Sequence, residues 1–222
     1  VVIDQATRQN IIKNEIENIS KHYGHAIVPQ KLLTEVTGLV EWPVALKGKF
    51  PTSFLNIPNE ALISAMQKHQ KVFPIIDNQG KLTPIFIIIS NINSTDPQKI
   101  IKGNEKVIQA RLADAQFFYH QDLKEPLLNK LPQLKNIIFQ DKLGSIYDKT
   151  QRIAKLAKHI MNQMQQDTSY VNMAAELSKC DLLSSMVAEF PELQGIMGYY
   201  YAKHQGINNE IALAIKEHHL PR

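Results

Sequence analysis

The sequence predicts an α+β fold in which an N-terminal α/β module with a β-hairpin is followed by an all-helical domain. Three observations carry that expectation. Two runs rich in β-branched residues, 72–76 and 82–90, flank Asp77-Asn78-Gln79-Gly80, whose residue types favour a tight turn. Apolar residues recur at helical spacing ahead of this pair of strands. Beyond Asn91 the periodicities are helical, with no further convincing strand.

Taken in order, Ile11, Ile12, Ile16 and Ile19 place a helix over residues 7–22, which Gly24 stops. A short helix over 30–38 comes next. Trp42, Val44 and Leu46 alternate in a strand within 40–50, and Pro43 interrupts it, so the strand belongs at an edge or contains a bulge. Pro58 opens a helix with Ala61, Leu62, Ala65 and Met66 on its apolar face. Of the hairpin strands, 85–89 is the most apolar and the best candidate for burial. Val107, Ile108, Leu112, Ala115 and Phe118 then mark one face of a helix that begins near Gly103-Asn104 and reaches about Gln121. Pro126 and Pro132 break the next stretch, and residues 141–145 read as a connector. Four helices complete the chain, from Asp148 to about Met164, over 170–190, over 192–204 and over 208–220.

With 222 residues, 44% hydrophobic and 21% charged, the chain is long enough for one large domain or two small ones and excludes disordered or collagenous classes. A single cysteine, Cys180, cannot form an internal disulfide and suits a reducing compartment, hence the cytoplasm. The longest apolar run, 85–89, is far too short to cross a bilayer, and the first residues lack the pattern of a secretory leader. A start at Val1 and a stop just after a helical pattern suggest a fragment of a longer protein. The formal net charge of +4 is compatible with a phosphate-bearing partner without requiring one.

Lys99, Lys102, Lys106 and Arg111 gather around Gly103-Asn104, where exposed amides at a helix start could receive phosphate. The competing reading is a solvated face in which Arg111 pairs with Asp114. Phe117, Phe118 and Tyr119 could stack on unpaired bases, but at helical spacing one or two of them must face the core. The eight histidines, including His22 with His25 and His218 with His219, have no carboxylate or thiolate partner at ligand spacing and read as surface residues. Cys180-Asp181 lies within an apolar helical run, so Cys180 reads as a buried inert thiol and Asp181 as a helix-interior carboxylate paired with Lys179 or another cation. Phosphate-cradling, nucleophile-elbow and zinc-protease motifs are absent from the sequence.

Five strings occur in one order: Leu39-Val40-Glu41-Trp42-Pro43-Val44, Gln70-Lys71-Val72-Phe73-Pro74, Gly103-Asn104-Glu105-Lys106-Val107, Arg111-Leu112-Ala113-Asp114-Ala115 and Leu177-Ser178-Lys179-Cys180-Asp181-Leu182, with Gly195-Ile196-Met197-Gly198 after them. Together they resemble the β subunit of heterotetrameric bacterial glycyl-tRNA synthetases over nearly the whole chain. That resemblance implies a cytoplasmic α2β2 ligase that charges tRNA-Gly with glycine using ATP and Mg²⁺, both at the α subunit, with no membrane partner. It also implies that residues 1–140 form part of a B3/B4-like module and residues 141–222 an HD-like helical domain. Two positions depart from the family pattern. Cys180-Asp181 stands where a His-Asp motif would be expected, and Gln109-Ala110 replace a basic residue and a proline.

On this reading the segment binds tRNA and supports assembly, with Lys102, Lys106, Arg111, Lys149 and Arg152 as candidate phosphate contacts. No residue is assigned to catalysis or to a metal. The alternative is a hydrolase module, vestigial or active, either editing-like or of the HD phosphohydrolase type around Asp181.

Overall fold

The computed structural model describes residues 1–221, and the chain divides into two compact units, Val1–Gln116 and Phe117–Arg222. In the first, helix α1 (Gln5–Ser20) starts where the Asp4 carboxylate accepts the Thr7 amide at 2.6 Å. It stops before Gly24, whose φ of 136° only glycine adopts easily and where a Cβ would collide with the Ile76 carbonyl. Strand β1 (His25–Ala26), helix α2 (Gln30–Leu39), strand β2 (Val44–Lys49) and, after a 3-10 turn, helix α3 (Asn59–Gln70) follow. Strands β3 (Phe73–Ile76) and β4 (Leu82–Ser90) form the expected hairpin, and helix α4 (Pro97–Asp122) comes next. The hairpin turn is fastened by Asp77, whose Oδ1 accepts the amides of Gln79 at 2.8 Å and Lys81 at 2.9 Å.

All four strands pair antiparallel in the order β1-β3-β4-β2. Ile12 and Ile16 of α1 and Leu33 and Val36 of α2 pack with Phe73, Ile75 and Ile87 of the sheet in one buried cluster. β2 lies at an edge, as Pro43 suggests, and two of its amides are closed by carboxylates instead of a neighbouring strand. Ala45 donates to Glu15 at 2.6 Å and Lys49 donates to Glu105 at 2.9 Å. These bonds tie α1 and α4 to the sheet and leave those amides no capacity to recruit a further strand.

Helix α4 corrects one expectation. It begins at Pro97, so Gly103 and Asn104 lie inside it, and Asn104 Nδ2 donates to the Ile100 carbonyl at 2.9 Å. The amides near Gly103 therefore belong to the helix ladder and offer no phosphate cradle. Proline suits the first turn of a helix, and the Ser94-Thr95-Asp96 run before it supplies the start.

The second unit begins with the last turns of α4 and continues through helix α5 (Leu127–Lys130) and a 3-10 turn. Two short strands absent from the sequence reading, β5 (Ile138–Gln140) and β6 (Gly144–Ser145), then form a hairpin. Helix α6 (Ile146–Gln163) starts in a reciprocal cap: Ser145 Oγ accepts the Asp148 amide and Asp148 Oδ2 accepts the Ser145 amide. Helices α7 (Val171–Leu177), α8 (Ser185–Glu189), α9 (Ile196–His204) and α10 (Asn209–Glu217) complete the unit. The end of α4 belongs with this unit, since Tyr119 stacks on Tyr201 with ring centroids 6.0 Å apart and Asp122 bonds to α8.

The single helix expected over 170–190 is broken. A 3-10 turn, Cys180–Leu183, separates α7 from α8. Ser184 causes the break locally, since its hydroxyl donates to the Asp181 carbonyl at 2.6 Å and accepts the Val187 amide at 3.2 Å. Such side-chain bonds offer the backbone an alternative to the helix ladder. Asp122 fixes the new start of α8 by accepting the amides of Ser185 at 2.8 Å and Met186 at 2.9 Å, together with the Tyr201 hydroxyl at 2.8 Å.

Replacing Asp122 by alanine strands three donors at once, two of them buried. In denaturant titrations of the full-length subunit, Asp122→Ala is expected to lower the stability of the unit containing α8 by roughly 3–5 kcal/mol.

Candidate nucleic-acid interface

The five predicted phosphate contacts fall on two helices. Lys102 and Lys106 are exposed and one turn apart on α4. Arg111 lies nine residues beyond Lys102, which at ~100° per residue turns it about 180° away. Its Nη1 stands 3.7 Å from Asp114 Oδ2, the solvated pairing weighed from the sequence. Lys99 is likewise drawn to Asp96 at 3.4 Å. α4 thus presents two lysines on one side and a neutralised arginine on the other.

Lys149 and Arg152 stand one turn apart on α6, beside the β5–β6 hairpin. Lys149 Nζ lies 4.0 Å from the centre of the Phe139 ring, and Lys135 Nζ lies 4.8 Å from that of Tyr147. Cations and aromatic faces therefore alternate here, an arrangement suited to a phosphodiester backbone with accessible bases. The nearby acid, Asp148, holds its carboxyl below the ordinary range chiefly because the Ser145 amide and hydroxyl donate to it, with smaller help from Arg152 and Lys135. It serves as a cap as well as a counter-charge. Lys135 was not singled out from the sequence, because its meeting with Tyr147 depends on the 3-10 turn that folds residues 131–136 back toward α6.

Lys179 is a second cation the sequence did not reveal as part of this area. It is buried, and desolvation, followed by repulsion from Lys149, pushes its ammonium down to about 8 against the pull of Asp181. Its Nζ lies 3.3 Å from His219 Nε2. His218 and His219 are half-buried rather than surface residues, with ring centroids 4.0 Å apart. Among the described residues, no group of three or more His, Cys, Asp or Glu side chains is gathered to hold a metal. Of the aromatic trio, Phe117 is exposed, while Phe118 and Tyr119 are half-buried.

Cys180 is the buried, inert thiol that its apolar setting suggests. Its Sγ donates to the Glu176 carbonyl at 3.3 Å, and burial raises its ionisation to about 12, far from a nucleophilic thiolate. Asp181 departs from expectation: it lies in the 3-10 turn, not mid-helix, and is fully buried. Its principal bonds are to two amides, with Oδ2 accepting from Gly195 at 2.6 Å and Gly198 at 3.0 Å. Burial pushes its carboxyl up to about 6, while these amides and Lys179 pull the other way. A carboxylate so enclosed, with a neutral thiol in the preceding position, does not assemble a hydrolytic centre, and the hydrolase alternative finds no support.

A family model described as glycyl-tRNA synthetase beta subunit matches residues 1–222. Among curated relatives, the glycine–tRNA ligase beta subunit of Coxiella burnetii (strain RSA 493 / Nine Mile phase I) is 52% identical over 222 residues, covering 100% of this chain and 32% of the relative. The beta subunits of Psychromonas ingrahamii and Pseudomonas fluorescens (strain SBW25) are 48% and 49% identical over 223 residues, with 32% and 33% of their lengths covered. The chain spans about a third of the length of these relatives. Among the described residues, no helix is long and apolar enough to cross a membrane.

The raised ionisation of Asp181 fixes a pH dependence. Between the ordinary value of 3.8 and about 6, the folded protein holds a proton that the unfolded chain releases. Stability therefore falls as pH rises through that window and is level above it, a loss of roughly 3 kcal/mol. Urea titrations of wild type and Asp181→Asn at pH 4 and 6.5 are expected to show this loss in the wild type relative to the variant.

Proposed function

The chain belongs to the glycyl-tRNA synthetase β-subunit family, and on that premise we propose that it is a tRNA-binding and scaffolding segment of a glycine–tRNA ligase. The whole enzyme joins glycine to tRNA-Gly with ATP, and this segment handles the RNA without taking part in the bond-making steps. The observation that carries the reading is the basic and aromatic surface of α6 and the β5–β6 hairpin, where Lys135, Lys149 and Arg152 alternate with Phe139 and Tyr147. Lys102 and Lys106 on α4 add a second, smaller cationic face.

Mg²⁺ needs oxygen ligands, mostly carboxylate and water, and the two buried aspartates, Asp122 and Asp181, are engaged by amides and a tyrosine hydroxyl. On the proposed reading the ligation chemistry, with ATP and Mg²⁺, belongs to the α subunit of a cytoplasmic α2β2 assembly. The relatives' shared designation as a beta subunit supports a multi-subunit enzyme.

Phosphate contacts release counterions, so each one lost lowers the slope of log affinity against log salt by about one. In the whole α and β enzyme, Lys149→Glu with Arg152→Glu is expected to weaken tRNA-Gly binding at least ~10-fold at low salt and to flatten that slope by about two. Arg111→Glu, at a site already paired with Asp114, is expected to change affinity less than Lys106→Glu. Unaltered affinity and slope in the double variant would remove α6 from the RNA surface.

A further inference from the structure

Helix α6 carries an apolar stripe that the fold leaves open. Leu156, Ile160 and Met164 succeed one another at intervals of one turn and are 61%, 46% and 61% exposed. Ile160 also lines a cavity of about 620 Å³ formed by α6, α7 and α10. Met173 of α7 and Leu213 of α10 add exposed apolar surface on the same three helices. The polar part of the cavity wall is cationic, because Lys149 and Lys179 both line it.

Each of these features narrows what can cover the groove. A row of aliphatic side chains at helical repeat is matched by the apolar face of another helix. RNA would satisfy the lysines but would leave Leu156, Ile160 and Met164 against sugar and phosphate. A second copy docked face to face would set Lys149 and Lys179 against their own equivalents, an arrangement like charges oppose. Lys179 is buried, and the nearby anion, Asp181, turns its Oδ2 to the Gly195 and Gly198 amides while attracting Lys179 only through space. A carboxylate arriving from outside would complete that charge pairing. Polypeptide able to supply such a helix exists in the family, since about two thirds of each relative's length lies outside the matched segment.

We propose that in the full-length β subunit the groove between α6, α7 and α10 is filled by a helix of the same polypeptide from outside these 222 residues, apolar along one face and carrying a carboxylate that meets Lys149 and Lys179. The inference rests on family membership, and the apolar stripe at Leu156, Ile160 and Met164 tests it without altering Lys149.

A photo-crosslinking amino acid placed singly at Leu156, Ile160 or Met164 in the full-length β subunit, expressed with its α subunit, tests this. Irradiation is expected to join each position to one segment of the same chain outside the 222 residues, identified by mass spectrometry, and that segment is expected to contain Asp or Glu. The same probe at Lys158, on the far side of α6, is expected not to reach it. Adducts to the α subunit, to a second β chain or to tRNA, or no adduct at all, overturn the proposal. An intrachain adduct to a segment without an acidic residue overturns the pairing with Lys149 and Lys179.

Discussion

Two buried carboxylates hold the second unit together, and most of its other features depend on them. The chain from Ser178 to Gly195 has little regular structure: two 3-10 turns and the five-residue helix α8. Amides in such a segment lack ladder partners, and leaving them unbonded in the interior is costly. Asp122 accepts two of them and a tyrosine hydroxyl, and Asp181 accepts two more. The start of α9 follows from this. Gly195 takes a φ of 83°, and a Cβ at Gly198 would lie 3.1 Å from Asp181 Oδ2, so the carboxylate and the glycine define each other's place. Tyr201, enclosed beside Asp122, has its phenol pushed well above the ordinary range, first by burial and then by that negative charge.

The same bonds shape the electrostatics of the exterior. A carboxylate directed inward to amides does little to offset cations outside. In the second unit Asp122 and Asp181 both serve backbone groups from the interior. The lysines and arginine of α6 consequently produce a local positive surface that a formal net charge of only +4 over the chain does not announce. Lys149 takes part in three relationships at once: it covers the Phe139 ring, repels Lys179 and lines the open groove. The proposed RNA contact and the proposed closure of the groove therefore both call on Lys149.

In the first unit carboxylates do the opposite work, closing an edge. Glu15 and Glu105 reach from α1 and α4 to amides of β2, so a four-stranded sheet ends without offering those donors to another chain.

The sequence by itself determined what local chemistry controls. The hairpin over 73–90, the helices at 5–20, 30–39, 59–70 and 146–163, the edge placement of β2 and the inert thiol at Cys180 all follow from periodicity, turn residues and apolar setting. The ordered strings pointed to the family that the whole chain matches. Tertiary structure decided the rest. Whether 170–190 runs as one helix depended on Asp122, a residue about sixty positions away that captures amides the helix ladder would otherwise use. Whether Lys102, Lys106 and Arg111 share a face depended on the helix that carries all three, whose angular repeat sets Arg111 opposite Lys102. Lys135 and Lys179 became part of the site only when folding brought them to Tyr147 and Lys149, and no spacing along the chain encodes a contact between segments that far apart.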